Sequence, residues 1–299
     1  MRIDPNVVPE ILADLQQSQV SLNTALQQVS TGKSVTVPSD NPTAAAEMVQ
    51  NTIETGNVDQ YTQNVSTVQS TVQSASSTLS SVVTSLTQAL SLGTEAANGT
   101  NSTTNMQELG AQVQGILASV LSLANTSVGG AYLFAGTGTT TPFTADSTSP
   151  GGYKYNGTPD TNSVEVGNGT SLQVNLPGGQ IFTNSNNNVL GSLNSLVTAL
   201  QSGETGQIET ATESVDSAIG FVGQQQVFYN NANEQLTSQE SYLQQDTVTL
   251  ASQENNLIGV NEATAATDLS QAETDNNAAL AAAAKVLPNS LLNFLSPPT

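Results

Sequence analysis

Any chemistry in this chain must come from Ser, Thr, Asp, Glu, Tyr and Lys, because its 299 residues include neither Cys nor His. Thiol nucleophiles, disulfides, zinc fingers, His-held metals and Ser-His-Asp triads are thereby excluded. The carboxylates nearest to a cluster are Glu262, Asp268, Glu273 and Asp275. Paired carboxylates can act as acid and base or hold a hard cation, but this spacing reads as the solvated face of a helix. There is no Gly-x-Ser-x-Gly elbow or EF-hand loop, and Gly32-Lys33-Ser34 does not complete a phosphate loop because Gln27 stands where the first glycine belongs. Gly136-Thr137-Gly138 opens like a dinucleotide fingerprint, but Thr141 stands where the third glycine belongs. Asn-x-Ser/Thr triplets at Asn98, Asn101, Asn125, Asn156 and Asn168 are what chance gives in so Asn-, Ser- and Thr-rich a chain. No catalytic, cofactor-binding or metal-ligating residue is assigned, and the reading is of a protein that is not an enzyme.

Charge narrows the partners. Arg2, Lys33, Lys154 and Lys285 face 24 acidic residues, for a net charge of -20. Nucleic acid and anionic lipid both require clustered Lys or Arg, so neither is a partner. No run of apolar residues approaches membrane-spanning length. Met1-Arg2-Ile3-Asp4-Pro5 lacks the apolar core of a secretory signal. Export, if it occurs, is expected without a cleaved signal peptide.

The elements that such a surface must coat are long. No proline falls between Pro42 and Pro142, or between Pro177 and Pro288. Proline inside a helix costs about 3 kcal/mol, so both arms permit very long helices. Between them, residues 129–179 hold 11 of the 23 glycines, which marks an insert of different structure.

Each arm carries a heptad seam. Val8, Leu12, Leu15, Leu22, Leu26 and Val29 form the first; Val58, Tyr61, Val65, Val68, Val72, Leu79, Val82 and Leu86 form a longer one. Leu109, Val113, Ile116 and Val120 repeat the pattern. Beyond the insert, Val215, Val222, Tyr229, Leu236, Leu243, Leu250 and Leu257 recur every seventh residue. Such spacing keeps an apolar stripe against a partner helix. The segments 43–97 and 204–258 are each predicted to be single helices roughly 80 Å long, lying antiparallel. Ser39-Asp40-Asn41 before Pro42 predicts the start of one of them. In the insert, Tyr132-Leu133-Phe134 and Tyr153-Lys154-Tyr155 have strand composition, and Val164/Val166 and Leu172/Val174/Leu176 alternate as half-buried strands do. Ile181 and Phe182 close it. The expected fold is mainly α: a long antiparallel coiled-coil rod built by both chain termini, with a small inserted antiparallel β domain.

This order resembles that of the flagellins and hook-associated proteins. The start, Met1-Arg2-Ile3, is similar to the hook-associated group that joins hook to filament. So are Thr31-Gly32-Lys33-Ser34-Val35-Thr36-Val37-Pro38-Ser39-Asp40-Asn41-Pro42, Gly130-Ala131-Tyr132-Leu133-Phe134-Ala135-Gly136-Thr137 and Ser290-Leu291-Leu292-Asn293-Phe294-Leu295. Ala96-Ala97-Asn98-Gly99-Thr100-Asn101-Ser102 instead looks like a helix end of filament flagellins. The chain departs from the family in carrying Ser34 after Lys33, where a basic residue is usual, and in lacking arginines before Asn98.

The resemblance implies a structural, extracellular subunit of the bacterial flagellum that connects hook to filament by axial self-assembly; a filament flagellin and a secreted coiled-coil stalk or adhesin remain the alternatives. It implies terminal assembly helices at 1–35 and 262–299, disordered until polymerised, a helical rod at 36–128 and 185–261, and a β insert at 129–184. Val8, Leu12, Leu15, Leu22, Leu26, Val29, Leu280, Leu287, Leu291, Leu292, Phe294 and Leu295 are the expected assembly contacts. The implied partners are another hook-associated protein, flagellin, copies of this chain and an export chaperone, with export by the flagellar type III route.

Overall fold

The two longest helices begin and end within a residue of the bounds expected for them, 43–97 and 204–258, whereas the last helix runs on through Pro288. In the computed structural model, which describes residues 7–98 and 101–295, with side chains from 9 to 285, α1 spans Val7–Thr31, α2 Pro42–Ala97 and α3 Thr103–Ala124. Three short strand pairs and a short helix follow, then α5 (Val189–Ser202), α6 (Thr205–Ile258) and α7 (Glu262–Leu295). By contacts the chain divides into two compact units, Met1–Asn57 with Gln245–Thr299, and Val58–Gln244; α2 and α6 contribute to both.

In the second unit, α2 and α6 run antiparallel. Gln69 Nε2 donates to Thr237 Oγ1 at 3.4 Å and Ser76 Oγ to Asn230 Oδ1 at 3.0 Å, so rising numbers on α2 meet falling ones on α6. Val58, Val65, Val68, Val72, Leu79, Val82 and Leu86 are buried, as are Val215, Val222, Tyr229, Leu236 and Leu243. Each contributes roughly 1.5–3 kcal/mol relative to exposure. Tyr61 is half-buried, its hydroxyl 3.4 Å from the Glu165 carboxylate. Gly93 lets the helices close in: a Cβ there would meet Thr212 Oγ1.

Helices α3 and α5 form the other layer. Ser102 caps α3 by accepting from Asn105 N, and Asn188 caps α5 by accepting from Gly191 N at 2.8 Å. Gly203 ends α5 with φ 71°, a left-handed conformation that glycine takes without strain. Leu109, Val113, Leu117 and Val120 of α3 and Val189, Leu193, Leu196 and Leu200 of α5 are buried.

The insert is three separate two-stranded antiparallel sheets: β1 (Ser127–Val128) with β2 (Ala131–Tyr132), β3 (Phe143–Ala145) with β4 (Tyr153–Tyr155), and β5 (Ser163–Gly167) with β6 (Thr170–Gln173). Ile181 and Phe182 close it from a short helix, α4 (Gly178–Phe182). Strands this short leave many backbone groups unpaired, and side chains supply the missing partners. Asn125 pairs with Phe143 like a neighbouring strand, donating to its carbonyl at 3.0 Å and accepting from its N–H at 2.8 Å. Gly136 O accepts from Asn175 Nδ2 at 3.1 Å and Asn162 Nδ2 at 3.3 Å. Phe182 packs edge-on against both Phe134 and Phe143, with ring centres 5.2 and 5.4 Å apart.

The helix exteriors are coated with hydroxyls that bond inward. Thr52, Thr62, Ser74 and Thr87 each donate to the carbonyl four residues earlier at 2.8 Å, as do the buried Thr78 at 2.8 Å and the half-buried Thr212 at 2.7 Å. Such bonds satisfy the hydroxyl proton within its own helix.

Candidate assembly surface

In the first unit the end of α1 is tied to the junction between α6 and α7. Gly32, at φ 68°, ends α1, and its carbonyl accepts from Val260 N at 3.0 Å. Ser34 N donates to Ile258 O at 2.6 Å, and Lys33 bridges Gly259 in antiparallel sense. Lys33 Nζ lies 3.0 Å from Glu254 Oε1, but both side chains are well exposed, so the pair contributes less than about 1 kcal/mol. Asp40 Oδ2 accepts from Val37 N and Thr36 N, both at 3.0 Å. Those backbone bonds, Val37 first, hold its carboxyl below the usual range. Asn41 Oδ1 then caps α2 by accepting from Ala44 N at 3.1 Å, and Asn261 Oδ1 caps α7 by accepting from Ala263 N at 3.0 Å.

From that knot α1 and α7 run antiparallel and pack along their length. The face that α1 turns inward holds Ile11, Leu15, Ser18, Leu22 and Ala25; that of α7 holds Ala265, Leu269, Ala272, Asn276, Ala279 and Ala283. Both rows alternate steps of 4 and 3, the heptad rhythm. Of the expected assembly contacts, Leu15 and Leu22 lie in this seam. Leu12 (45% exposed), Leu26 (46%), Val29 (44%) and Leu280 (44%) face outward instead. Within the seam Ser18 and Ala25 are small enough to let the two backbones approach, and Leu12, Leu26 and Val29 are left on the flanks. Val8, Leu287, Leu291, Leu292, Phe294 and Leu295 lie on the backbones of α1 and α7, and their side chains fall outside the described residues. Leu250 is buried and Leu257 half-buried in this same unit.

Ser18 and Asn276 were not legible as partners, yet Ser18 Oγ and Asn276 Oδ1 are the buried side-chain polar atoms without a hydrogen-bond partner among the described residues. Equal steps inward from the Gly32–Val260 bond bring them level to within about one helical turn. Beside Ser18 runs a groove of about 590 Å³. Ser18, Ala25 and Ala272 line it, together with Asp14, Asp268 and Asp275.

The residues considered for chemistry do not converge. Glu262, Asp268, Glu273 and Asp275 are exposed along α7, Asp275 accepting from Gln271 Nε2 at 2.9 Å. Among the described residues no group of three acidic side chains could hold a metal, and no helix is long and apolar enough to cross a membrane. Gly136 and Thr137 serve a turn, Thr137 N donating to Thr158 Oγ1 at 2.8 Å.

Long helices packed through heptad seams and interrupted by a small β insert define a mainly α, coiled-coil class of protein. Residues 9–139 match the family described as the bacterial flagellin N-terminal helical region. Within that class the likeness is to flagellar hook-associated proteins. The chain is 31% identical over 166 residues to flagellar hook-associated protein 3 of Escherichia coli (strain K12), covering 55% of this chain and 51% of that one. It spans between about half and three-fifths of the lengths of the curated relatives it matches. In structure it resembles a flagellar hook-associated protein from Vibrio parahaemolyticus, with TM-score 0.67, 19% identity, and coverage of 74% of this chain and 100% of that one. It also resembles the flagellar junction protein FlgL from Legionella pneumophila, with TM-score 0.60, 15% identity, and coverage of 71% and 100%. At these identities the two structures establish a shared fold.

Proposed function

We propose that the chain is a structural subunit of the bacterial flagellum that connects hook to filament, assembling axially through the helices at its two ends. The observation that carries this reading is the antiparallel pairing of α1 with α7, which lays the first and last helices of the chain side by side and leaves apolar side chains outside. An axial subunit needs the two together, whereas a stalk needs one of them free. Residues 1–35 and 262–299 then form the assembly helices, ordered on polymerisation, because a lone helix of this length is marginal in water. Residues 36–128 and 185–261 form the helical body and 129–184 the insert. Leu12, Leu26, Val29 and Leu280, with Val8, Leu287, Leu291, Leu292, Phe294 and Leu295, meet neighbouring subunits: another hook-associated protein, flagellin or copies of this chain. The chain works by packing and carries out no reaction. It acts outside the cell, exported by the flagellar type III route without a cleaved signal peptide and with an export chaperone.

Antibody-gold electron microscopy of isolated flagella tests this. Label confined to a narrow band where hook meets filament is the expected result. Label along the whole filament would make the chain a flagellin. Label absent from flagella altogether would leave the secreted stalk.

A further inference from the structure

Asparagine precedes glycine at Asn98-Gly99, Asn156-Gly157 and Asn168-Gly169. In such a pair the glycine backbone nitrogen can reach the asparagine side-chain carbonyl carbon and close a five-membered ring. No Cβ shields that nitrogen or restricts the turn it must make. Nucleophile and electrophile share one chain, so local geometry decides whether the reaction runs. Gly99 lies outside the described residues. The fold treats the other two pairs in opposite ways.

Asn156 is held. Its Nδ2 donates to Thr144 Oγ1 at 2.9 Å, and its backbone N–H donates to Pro142 O at 2.8 Å. Gly157 is half-buried and hemmed in: a Cβ there would meet the Tyr155 hydroxyl and Ala135 O. A ring at this position must break the turn to form. Asn168 is free in each of these respects. With Gly169 it makes the two-residue turn between β5 and β6, and both residues are exposed. The Asn168 amide makes no hydrogen bond among the described residues. A Cβ on Gly169 would meet nothing within 4 Å.

We infer that Asn168 is a site of spontaneous modification, converting to aspartate and isoaspartate with water as the sole co-reactant. The Gly169 nitrogen gives up its proton and bonds to Asn168 Cγ. The Cγ–Nδ2 bond breaks, and Nδ2 leaves with that proton as ammonia. Water then opens the cyclic imide, its oxygen joining one carbonyl carbon as that carbon's bond to the ring nitrogen breaks and the nitrogen regains a proton. Opening at the side-chain carbonyl gives aspartate. Opening at the main-chain carbonyl gives isoaspartate, whose backbone runs through the former side chain and is longer by one methylene. Nothing is oxidised or reduced.

Either product adds a carboxylate to a chain whose net charge is already -20. Isoaspartate also changes the loop length that sets hairpin register, so the pairing of Gly167 with Thr170 is the first to go. Glu165 on the same strand accepts from Asn64 Nδ2 of α2 at 2.9 Å, and that contact loosens with the hairpin.

The test incubates the full, folded chain in heavy-oxygen water at mildly alkaline pH, where the glycine amide loses its proton more readily, and weighs its peptides. The Asn168 peptide should take up one water oxygen in step with ammonia release and become a substrate for an isoaspartate-specific methyltransferase. It should react about tenfold faster than the Asn156 peptide, whose amide is tied by a hydrogen bond. In urea, with the fold removed, the two should react alike. Thr144→Val, which removes the acceptor for the Asn156 amide, should quicken Asn156 and leave Asn168 as it was. An unlabelled Asn168 peptide overturns the inference, as does an Asn156 that reacts as fast as Asn168 while the chain is folded.

Discussion

The backbone N–H of Leu176 donates to the hydroxyl of Tyr229 at 3.1 Å, joining the end of the insert to the buried face of α6. Tyr229 is 1% exposed, and burial pushes its phenol up to about 12. Below about pH 10 the phenol is neutral in both folded and unfolded chains. Above that the unfolded chain ionises while the folded one holds its proton. The stability this contributes is therefore whole at neutral pH and lost as pH rises from about 10 to about 12, by roughly 3 kcal/mol. Tyr229→Phe removes the acceptor for Leu176 N–H and should cost about 1–3 kcal/mol at pH 7. Urea unfolding of both proteins across that range should show their difference shrinking as the solution becomes alkaline.

Asn51 sits one heptad before Val58, buried at 5% exposure, and its Nδ2 donates to Leu250 O at 3.1 Å. Asn51→Ala should cost about 1–2 kcal/mol, while Asn51→Leu should change stability by less than about 1 kcal/mol in either direction. Specificity is where Leu should show its effect. Cysteine pairs introduced at native and heptad-shifted positions of α2 and α6 should oxidise only in the native register in the parent, and in both registers in Asn51→Leu. Native-only cross-links in the variant would remove the register role.

Gly136 combines φ 69° with a site where a Cβ would collide with Thr158 O. Gly136→Ala should destabilise the insert by about 2–4 kcal/mol. Near-UV dichroism from the aromatic cluster should melt first, with the helical far-UV signal persisting to higher temperature. A single coincident transition at the parent's temperature would contradict this.

Nearly all charges on the chain share one sign, and Lys33–Glu254 is an exposed pair. Raising salt from about 0.01 M to about 0.15 M shortens the Debye length from about 30 to about 8 Å. Self-repulsion should fall more than the few attractions that four basic side chains can make, so the thermal midpoint should rise with salt. Lys33→Gln should lower it only slightly at low salt and leave it unchanged at high salt.

The seams legible in the sequence were those made of large apolar residues. Val65, Val72, Leu79 and Leu86 repeat against a polar background, and their burial follows from period alone. The α1–α7 seam was harder to read because Ala, Ser and Asn carry much of it, and a hydropathy pattern does not mark residues whose contribution is smallness. Leu12 and Leu26 stand out by hydropathy where size, and not polarity, decides the inner face. Helix α5 has the right period in Val189, Leu193, Leu196 and Leu200, yet it merges into the arm that follows unless Gly203 is recognised as a stop. The insert resisted for another reason. Asn125 with Phe143 and Tyr229 with Leu176 satisfy the backbone from far along the chain, and neither local propensity nor alternation encodes such pairings.

The inward-bonded hydroxyls of α2 and α6 determine what the helices offer to their surroundings. Once Thr62 or Ser74 has given its proton to its own helix, what faces solvent is oxygen lone pairs. Together with carboxylates that far outnumber ammonium and guanidinium groups, they make the exterior richer in acceptors, and its amide side chains supply most of the protons. Two such skins pressed together repel through their carboxylates and stay wet, while water binds either one readily. A chain coated in this way can be crowded with its own kind and remain slippery until a surface carrying cations arrives.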